Sequence, residues 1–209
     1  MIFRKSMSLV IPVLIAIFAS VGLSAAEKTV DHDLYGAARI ELVKTLESIP
    51  DNMLGNFGFN DREEANKAQL KTVYTEYFLP DGVRTSRVRI LVTYNGRACA
   101  LLGMVKVKGI WKNSDFGASG LAKELGRLEM SRPNGETHGD IMRDLQCKYD
   151  YIRYPKERKA NELIPLTSVR RAYKNSTGQE LNKTIPISRS QFIRSKVLRK
   201  FSMENGGEK

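Results

Sequence analysis

Residues 115–125, DFGASGLAKEL, place a serine among small residues at the junction of a strand-like run and a helical pattern. The catalytic serine of a nucleophile elbow occupies such a junction, with a glycine two residues before it and another two residues after it. Gly117 meets the first requirement, but Leu121 stands at the second position. The stretch therefore departs from the elbow pattern at a glycine that the motif needs.

Serine chemistry also needs a base beside the hydroxyl group, most often a histidine. The chain has two histidines, His32 and His138, and neither follows a recognisable strand. A phosphate-binding loop would end in Gly-Lys-Ser or Gly-Lys-Thr, which is missing, and no group of residues has the spacing of a metal site. The sequence predicts no catalytic residue, no metal and no cofactor.

The simpler interpretation of the serine turn is structural. Carboxylate and hydroxyl oxygens accept hydrogen bonds from the free N–H groups at a helix start, and glycine permits a sharp turn. We predict a helix-cap turn formed by Asp115, Gly117, Ser119 and Gly120.

Positive charge is concentrated near the end of the chain, which has a formal net charge of +11. Residues 148–209 carry 15 Lys and Arg against 6 Asp and Glu, whereas residues 27–147 are balanced. Such a segment attracts polyanions, although a solvated surface is the alternative. The candidate polyanion-binding residues are Arg153, Lys156, Arg158, Lys159, Arg170, Arg171, Lys196, Arg199 and Lys200.

The first 26 residues have the layout of a secretory signal peptide. Arg4 and Lys5 precede an apolar run from Leu9 to Phe18, and small residues lead to Ala26. We predict cleavage after Ala26, with an uncleaved membrane anchor as the alternative. Export argues against nucleic acid as a partner.

Only two cysteines occur, Cys99 and Cys147. In an oxidising compartment they permit one disulfide with a single connectivity. Two buried free thiols are the alternative, since cysteine is among the most buried residue types.

Hydrophobic periodicity predicts a helix over residues 31–48. A second, short helix is predicted in GFNDREEANKAQL, with Asn60 as its cap. The apolar positions of the first helix recur every four residues: Leu34, Ala38, Leu42 and Leu46.

From Val73 the pattern becomes that of strands. Asn95-Gly96 separates two β-rich runs, which is a strong hairpin signal, and a second turn is predicted near Gly109. These runs predict an antiparallel meander of about four to five strands, and hence the α+β class. Helices are predicted in SGLAKELGRLEM and in THGDIMRDLQ, followed by a strand in KYDYIRY.

We predict three parts of the chain: a signal peptide over 1–26, a globular domain over 27–154, and a basic C-terminal segment over 155–209. In the domain, the N-terminal helix packs on the meander. The last segment is partly helical and has a disordered tail. Its helix SQFIRSKVLRKF has an apolar stripe that either rests on an anionic membrane or packs on the sheet.

Three stretches, NMLGNFGFNDREEANKA, NGRACALLGMVKVKGIWKNSDFGASGLAKEL and LIPLTSVRRAY, together resemble a group of small exported bacterial proteins of unknown function. The resemblance covers most of the chain after residue 26 and implies a periplasmic or secreted protein, without implying an activity. The order of a helix and then a meander is also similar to cystatin-like and NTF2-like α+β folds, which host inhibitors, ligand pockets and enzymes.

These observations predict a non-enzymatic exported protein that binds a partner protein or an anionic component of the envelope. The alternative is a small-ligand or enzymatic pocket between helix and sheet in a cystatin-like or NTF2-like fold. Polar groups that converge on a concave site would favour the alternative.

Overall fold

The computed structural model describes residues 33–79, 83–131, 139–144, 149–154, 162–191 and 193. A bilayer-spanning helix, which needs about 20 apolar residues, is not found among the helices in this part of the chain. The elements in chain order are helix α1 over 33–48, a 3-10 helix Asp51–Phe57, α2 Arg62–Asn66, β1 Gln69–Leu79, β2 Val83–Tyr94, β3 Arg97–Val107, β4 Ile110–Gly117, α3 Ser119–Met130, β5 Asp140–Asp144, β6 Tyr149–Arg153, β7 Glu162–Pro165, α4 Thr167–Thr177 and β8 Ile185–Pro186.

The strands form one eight-stranded sheet in the order β4-β3-β2-β1-β5-β6-β7-β8. Neighbours are antiparallel except β1 and β5, which are parallel. The predicted α+β class and N-terminal helix are confirmed, and β1 to β4 form the predicted meander. The predicted number of strands is too small, because four further strands follow α3 and the parallel pair makes the sheet mixed.

Two tight turns fix the register of the meander. Asn95 and Gly96 have φ values of 47° and 76°, and Lys108 and Gly109 have values of 49° and 82°. Two successive positive φ values are typical of the two-residue hairpin turn whose twist matches that of the flanking strands. Both turns lie where the sequence predicts them.

Helix α1 packs on the face of the meander that carries Val88, Ile90 and Val92. Its predicted apolar stripe is buried there, since Leu34, Ala38, Leu42 and Leu46 are at most 5 % exposed.

The end of α1 is held from outside the helix. The guanidinium of Arg62 donates to the carbonyl oxygen of Leu46 at 2.6 Å and to that of Ile49. These bonds satisfy two carbonyl groups that a helix end leaves free. Arg62 begins α2, whose cap is Asp61 rather than the predicted Asn60, because the Asp61 carboxylate accepts from the Glu64 N–H at 2.8 Å.

Strand β5 replaces the helix predicted in THGDIMRDLQ. Ile141 and Met142 are both fully buried, and they pack into different clusters on opposite faces of the sheet. A strand covered on both faces has adjacent apolar residues, and so short a run does not differ from a buried helix in periodicity. The predicted cap, Thr137, lies outside the described residues.

Helices α3 and α4 cover further parts of the sheet. Ala122 and Leu125 of α3 pack against Leu91 and Leu101, on the face opposite α1. Val169 and Tyr173 of α4 pack with β5 and β6, in a cluster that includes Ile193.

The sheet therefore continues beyond residue 154. Strand β7 pairs with β6, and β8 pairs with β7. The described part of the predicted C-terminal segment belongs to the same sheet as the predicted domain. Residues 1–32 and 194–209, which include the predicted signal peptide and tail, lie outside the described residues.

Helix α3 approaches β3 closely at Gly126. A methyl group built there would lie 2.6 Å from the Cβ atom of Ala98, whereas one at Gly120 of the same helix meets nothing within 4 Å. We expect Gly126→Ala to lower the free energy of unfolding by about 1–3 kcal/mol through overpacking, despite the higher helix propensity of alanine. Urea unfolding measures the change.

Gly120→Ala is the matched control, because it gains helix propensity without a clash. It should leave stability unchanged or raise it by up to about 1 kcal/mol. Equal effects of the two substitutions would contradict the close packing of α3 on β3.

Candidate functional site

The turn before α3 differs from the predicted cap. Gly117 has φ of 131° and Ala118 has φ of 51°, so these two residues turn the chain. Ala118 is the N-cap residue, and no side chain caps the helix. Ser119 and Gly120 are already helical, and Asp115 forms ion pairs on β2 instead. The predicted side-chain cap is therefore wrong, because two positive φ values make the turn without one.

The Asp115 carboxylate belongs to an ionic cluster on the face of the sheet opposite α1. Arg89 donates from Nε to Glu76 at 3.0 Å and from Nη1 to Asp115 at 2.8 Å. The Arg89 and Glu76 side chains are only 7 % and 2 % exposed. A charge removed from water to this extent is tolerated when a hydrogen-bonded partner of opposite sign accompanies it.

Gly103 makes the contact between β4 and β2 geometrically feasible. It lies between Arg89 and Asp115 in the register of the three strands. A Cβ atom at Gly103 would come within 2.8 Å of the Asp115 carboxyl group. The missing side chain thus lets Asp115 reach across β3.

The cluster continues onto β5 and β6. Arg143 donates to Asp150 at 2.8 and 3.2 Å and lies 3.8 Å from Glu76. The hydrogen bond to Asp150 raises the pKa of Arg143 above its ordinary value. Three guanidinium groups and three carboxylates therefore balance across five strands, once Arg87, 3.4 Å from Asp115, is included. These balanced ion pairs stabilise the association of the strands.

Sequence reasoning missed this cluster, although its signal was present. In SRVRILVTY the apolar positions 88, 90 and 92 alternate with Arg87 and Arg89. An alternation of this kind normally indicates a solvent-facing side. Only the tertiary structure shows that Glu76 supplies a buried partner for Arg89.

We expect Arg89→Met to lower the free energy of unfolding by about 3–5 kcal/mol, because it leaves the buried Glu76 carboxylate without its closest cation. Arg87→Met removes an arginine two residues away that is one third exposed, and should cost at most about 1 kcal/mol. Chemical denaturation at neutral pH compares the two variants. Similar losses would show that the Arg89–Glu76 pair contributes no more to the free energy of unfolding than an exposed arginine does.

The described C-terminal cations differ in whether they form ion pairs, form hydrogen bonds or are exposed to solvent. Arg153 donates to Asp140 at 2.7 Å and lies 5.1 Å from the centre of the Tyr77 ring. Arg170 donates to the carbonyl oxygens of Pro165 and Lys183. Arg171 is exposed. The other candidates lie outside the described residues and stay predictions: Lys156, Arg158, Lys159, Lys196, Arg199 and Lys200.

Burial shapes the chemistry of the Arg153–Asp140 pair. It raises the pKa of Asp140 above its ordinary value, and the hydrogen bond from Arg153 opposes that shift. Because the pair is internally compensated, Arg153 is a weak candidate for a free anion contact.

A cleft of about 320 Å³ separates α3 from the start of α4. The Glu124 carboxylate accepts from the N–H and the hydroxyl group of Thr167, each at 2.7 Å, and thereby caps α4 from a different helix. Arg170 at the same cleft is engaged with backbone carbonyls, which leaves Arg127 as an exposed cation at its rim. The small-ligand alternative would use this cleft, but its polar groups mainly join the two helices.

Cys99 is a free thiol buried in the core. Its sulfur donates to the carbonyl oxygen of Arg97 at 3.3 Å. Burial raises the thiol pKa, and this change lowers the thiolate fraction that reacts. In the structure Cys99 is therefore a free thiol, as the second alternative expects. Cys147 lies outside the described residues.

We expect the Cys99 thiol to react slowly with a thiol-specific reagent such as DTNB in native buffer, and rapidly once denaturant exposes it. A Cys147→Ser variant isolates this reaction, which absorbance follows directly. Detection of a Cys99–Cys147 bond by mass spectrometry of the wild-type protein would contradict the free thiol.

The β3–β4 hairpin ends in a strongly basic turn, residues 106–112, KVKGIWK, which we call the basic hairpin tip. Lys106, Lys108 and Lys112 are exposed, and none of them forms an ion pair with the residues that the structure describes. Residues 104–114 contain no acidic side chain. The tip is therefore a surface whose positive charge is not compensated by the carboxylates that the structure describes.

The sequence contained the signal for this tip as well. The turn near Gly109 was predicted, and the three lysines stand within four residues of it. The net charge of residues 27–147 does not reveal these lysines, because acidic residues elsewhere in that segment balance the total.

Comparisons with family models, with curated proteins and with solved structures find no match to this chain.

Proposed function

We propose that this chain is an exported, non-enzymatic protein that binds an anionic component of the bacterial envelope through the basic hairpin tip. The observation that carries the proposal is the set of three exposed lysines on one turn, none of which pairs with a carboxylate of the described residues. An uncompensated cluster of cations attracts polyanions and raises the rate of encounter with them.

The state of the other described cations supports this choice. Arg89 and Arg143 neutralise buried carboxylates, and Arg153 is paired with Asp140. These groups hold the sheet together, so recruiting them to a ligand would remove stabilising contacts. The lysines of the tip neutralise no carboxylate of the described residues, and Lys106 lies over the Trp111 ring.

Export enters the proposal from the sequence of residues 1–26 and from the resemblance to small exported bacterial proteins. The positive start, the apolar run and the small residues before Ala26 support it. The predicted C-terminal cations outside the described residues are proposed to add to the same attraction.

We expect simultaneous substitution of Lys106, Lys108 and Lys112 by glutamine to weaken binding to immobilised heparin, a membrane-free polyanion. A cation near an anionic surface contributes about 1 kcal/mol, so the triple variant should lose roughly a hundredfold in affinity at low salt. Binding by the wild-type protein should also fall as the salt concentration rises. Affinity chromatography and surface plasmon resonance measure both effects.

The matched control replaces three exposed cations outside the tip by glutamine: Arg39, Lys123 and Lys183. It changes the net charge by the same amount, so it should reduce heparin affinity much less than the tip variant. Equal losses in the two variants would show that total charge governs binding and would refute the role of the tip.

A further inference from the structure

We infer that the anionic component is the surface of a lipid bilayer, and that Val107 and Ile110 enter the bilayer while the lysines of the tip contact lipid phosphates. This inference rests on the proposed function and names its partner. It arises from the two aliphatic side chains that the hairpin turn holds in solvent.

Val107 and Ile110 are 44 % and 63 % exposed. They are cross-strand partners in the hairpin register, so their side chains lie on the same face and next to one another. Together they form an apolar point at the outermost part of the hairpin. Such a pair gains free energy when an apolar phase covers it.

The charged residues next to this pair in the sequence are all lysines. Lys106 and Lys108 flank Val107 in sequence, and Lys112 follows Ile110 by two residues. Apolar side chains surrounded by lysines bind anionic bilayers by combining burial in the acyl boundary with attraction to the headgroups.

The other exposed aliphatic pair of the described residues has a different environment. Ile40 and Val43 on α1 are 57 % and 55 % exposed. Acidic Glu41 and Glu47 stand among the basic residues of that helix. The mixed charge gives α1 no preference for an anionic surface, so this pair serves as an internal control.

A bilayer explains the hairpin tip better than a polymer or a second copy of the chain. A soluble polyanion would engage the lysines and leave Val107 and Ile110 in water. A second copy docking through the same tip would bring three further lysines into contact, and like charges repel at that distance. A bilayer supplies both phosphates and an apolar layer.

Trp111 provides a reporter within the tip, because it is the only tryptophan of the chain and follows Ile110 directly, although its half-buried ring lies on the other face of the hairpin and packs on the core cluster under α1. The Lys106 ammonium lies 5.6 Å from the centre of its ring. Its fluorescence therefore reports on the base of the hairpin tip and on its packing against α1. Quenching by bromine atoms on lipid acyl chains requires the ring to approach the apolar layer.

The experiment uses the full chain and vesicles of phosphatidylcholine with or without phosphatidylglycerol. Binding is measured by co-sedimentation, and Trp111 emission is recorded with brominated and unbrominated acyl chains. We expect tighter binding to the anionic than to the neutral vesicles, with the difference lost at high salt, and quenching of Trp111 by the brominated lipids. The apolar run of residues 9–18 is common to all variants, so differences between variants isolate the hairpin.

Two double variants separate insertion from attraction. Val107→Ser with Ile110→Ser should lower vesicle affinity about tenfold or more and abolish the quenching, while heparin binding stays at the wild-type level. Ile40→Ser with Val43→Ser should change none of these readouts.

The outcomes distinguish the two proposals. Heparin binding without quenching of Trp111, together with unchanged vesicle binding by the Val107/Ile110 variant, overturns the bilayer inference and leaves the proposed function standing. Equal binding to neutral and anionic vesicles also overturns it. If the wild-type protein binds neither heparin nor anionic vesicles, both proposals fail.

Discussion

The parallel pairing of β1 with β5 is the contact on which the whole sheet depends. Residues 75–79 of β1 align with 140–144 of β5, and this ladder joins the meander to the strands that follow α3. Glu76 lies in the ladder with its carboxylate 2 % exposed, between Arg89 of β2 and Arg143 of β5. Opposite charges thus meet across the junction, and the cost of burying each one is offset by the others.

This arrangement divides the described cations into two groups. Guanidinium groups on β2, β5 and β6 are held by carboxylates of neighbouring strands. The ammonium groups at the hairpin turn remain in solvent. The hairpin itself is braced against the body, because Asn113 donates to Thr45 of α1 at 2.8 Å and the Phe57 and Phe116 rings stack with centroids 5.7 Å apart. A braced hairpin presents its turn at little entropic cost on binding.

Local signals in the sequence were sufficient for the meander and for α1. Asn95-Gly96 determines a turn by its own backbone preference, and the four-residue repeat of α1 needs only one covering surface. The helix predicted at β5 is wrong, because residues 140–144 form a strand only by pairing with β1, more than sixty residues earlier in the chain. Two parallel strands are not joined by a tight turn, so no local sequence signal marks their pairing.

For the candidate site as well, the sequence shows residue types but not their tertiary partners. The cap predicted for Asp115 and Ser119 followed residue type alone, whereas two positive φ values make the turn and Arg89 engages Asp115. The lysines of the tip were visible in the sequence, but their importance depends on which other cations are neutralised. That knowledge comes only from side-chain partners on distant strands.

The position of β4 at the outside of the described sheet adds a consequence for the behaviour of the protein in solution. An outer strand presents a row of backbone groups to which another chain can add, and charged lysines discourage such addition. Lys112 lies within β4, and Lys106 lies on the strand beside it. The ammonium groups of the basic hairpin tip therefore also discourage self-association at this edge, so replacing them by apolar residues would lower the solubility of the protein.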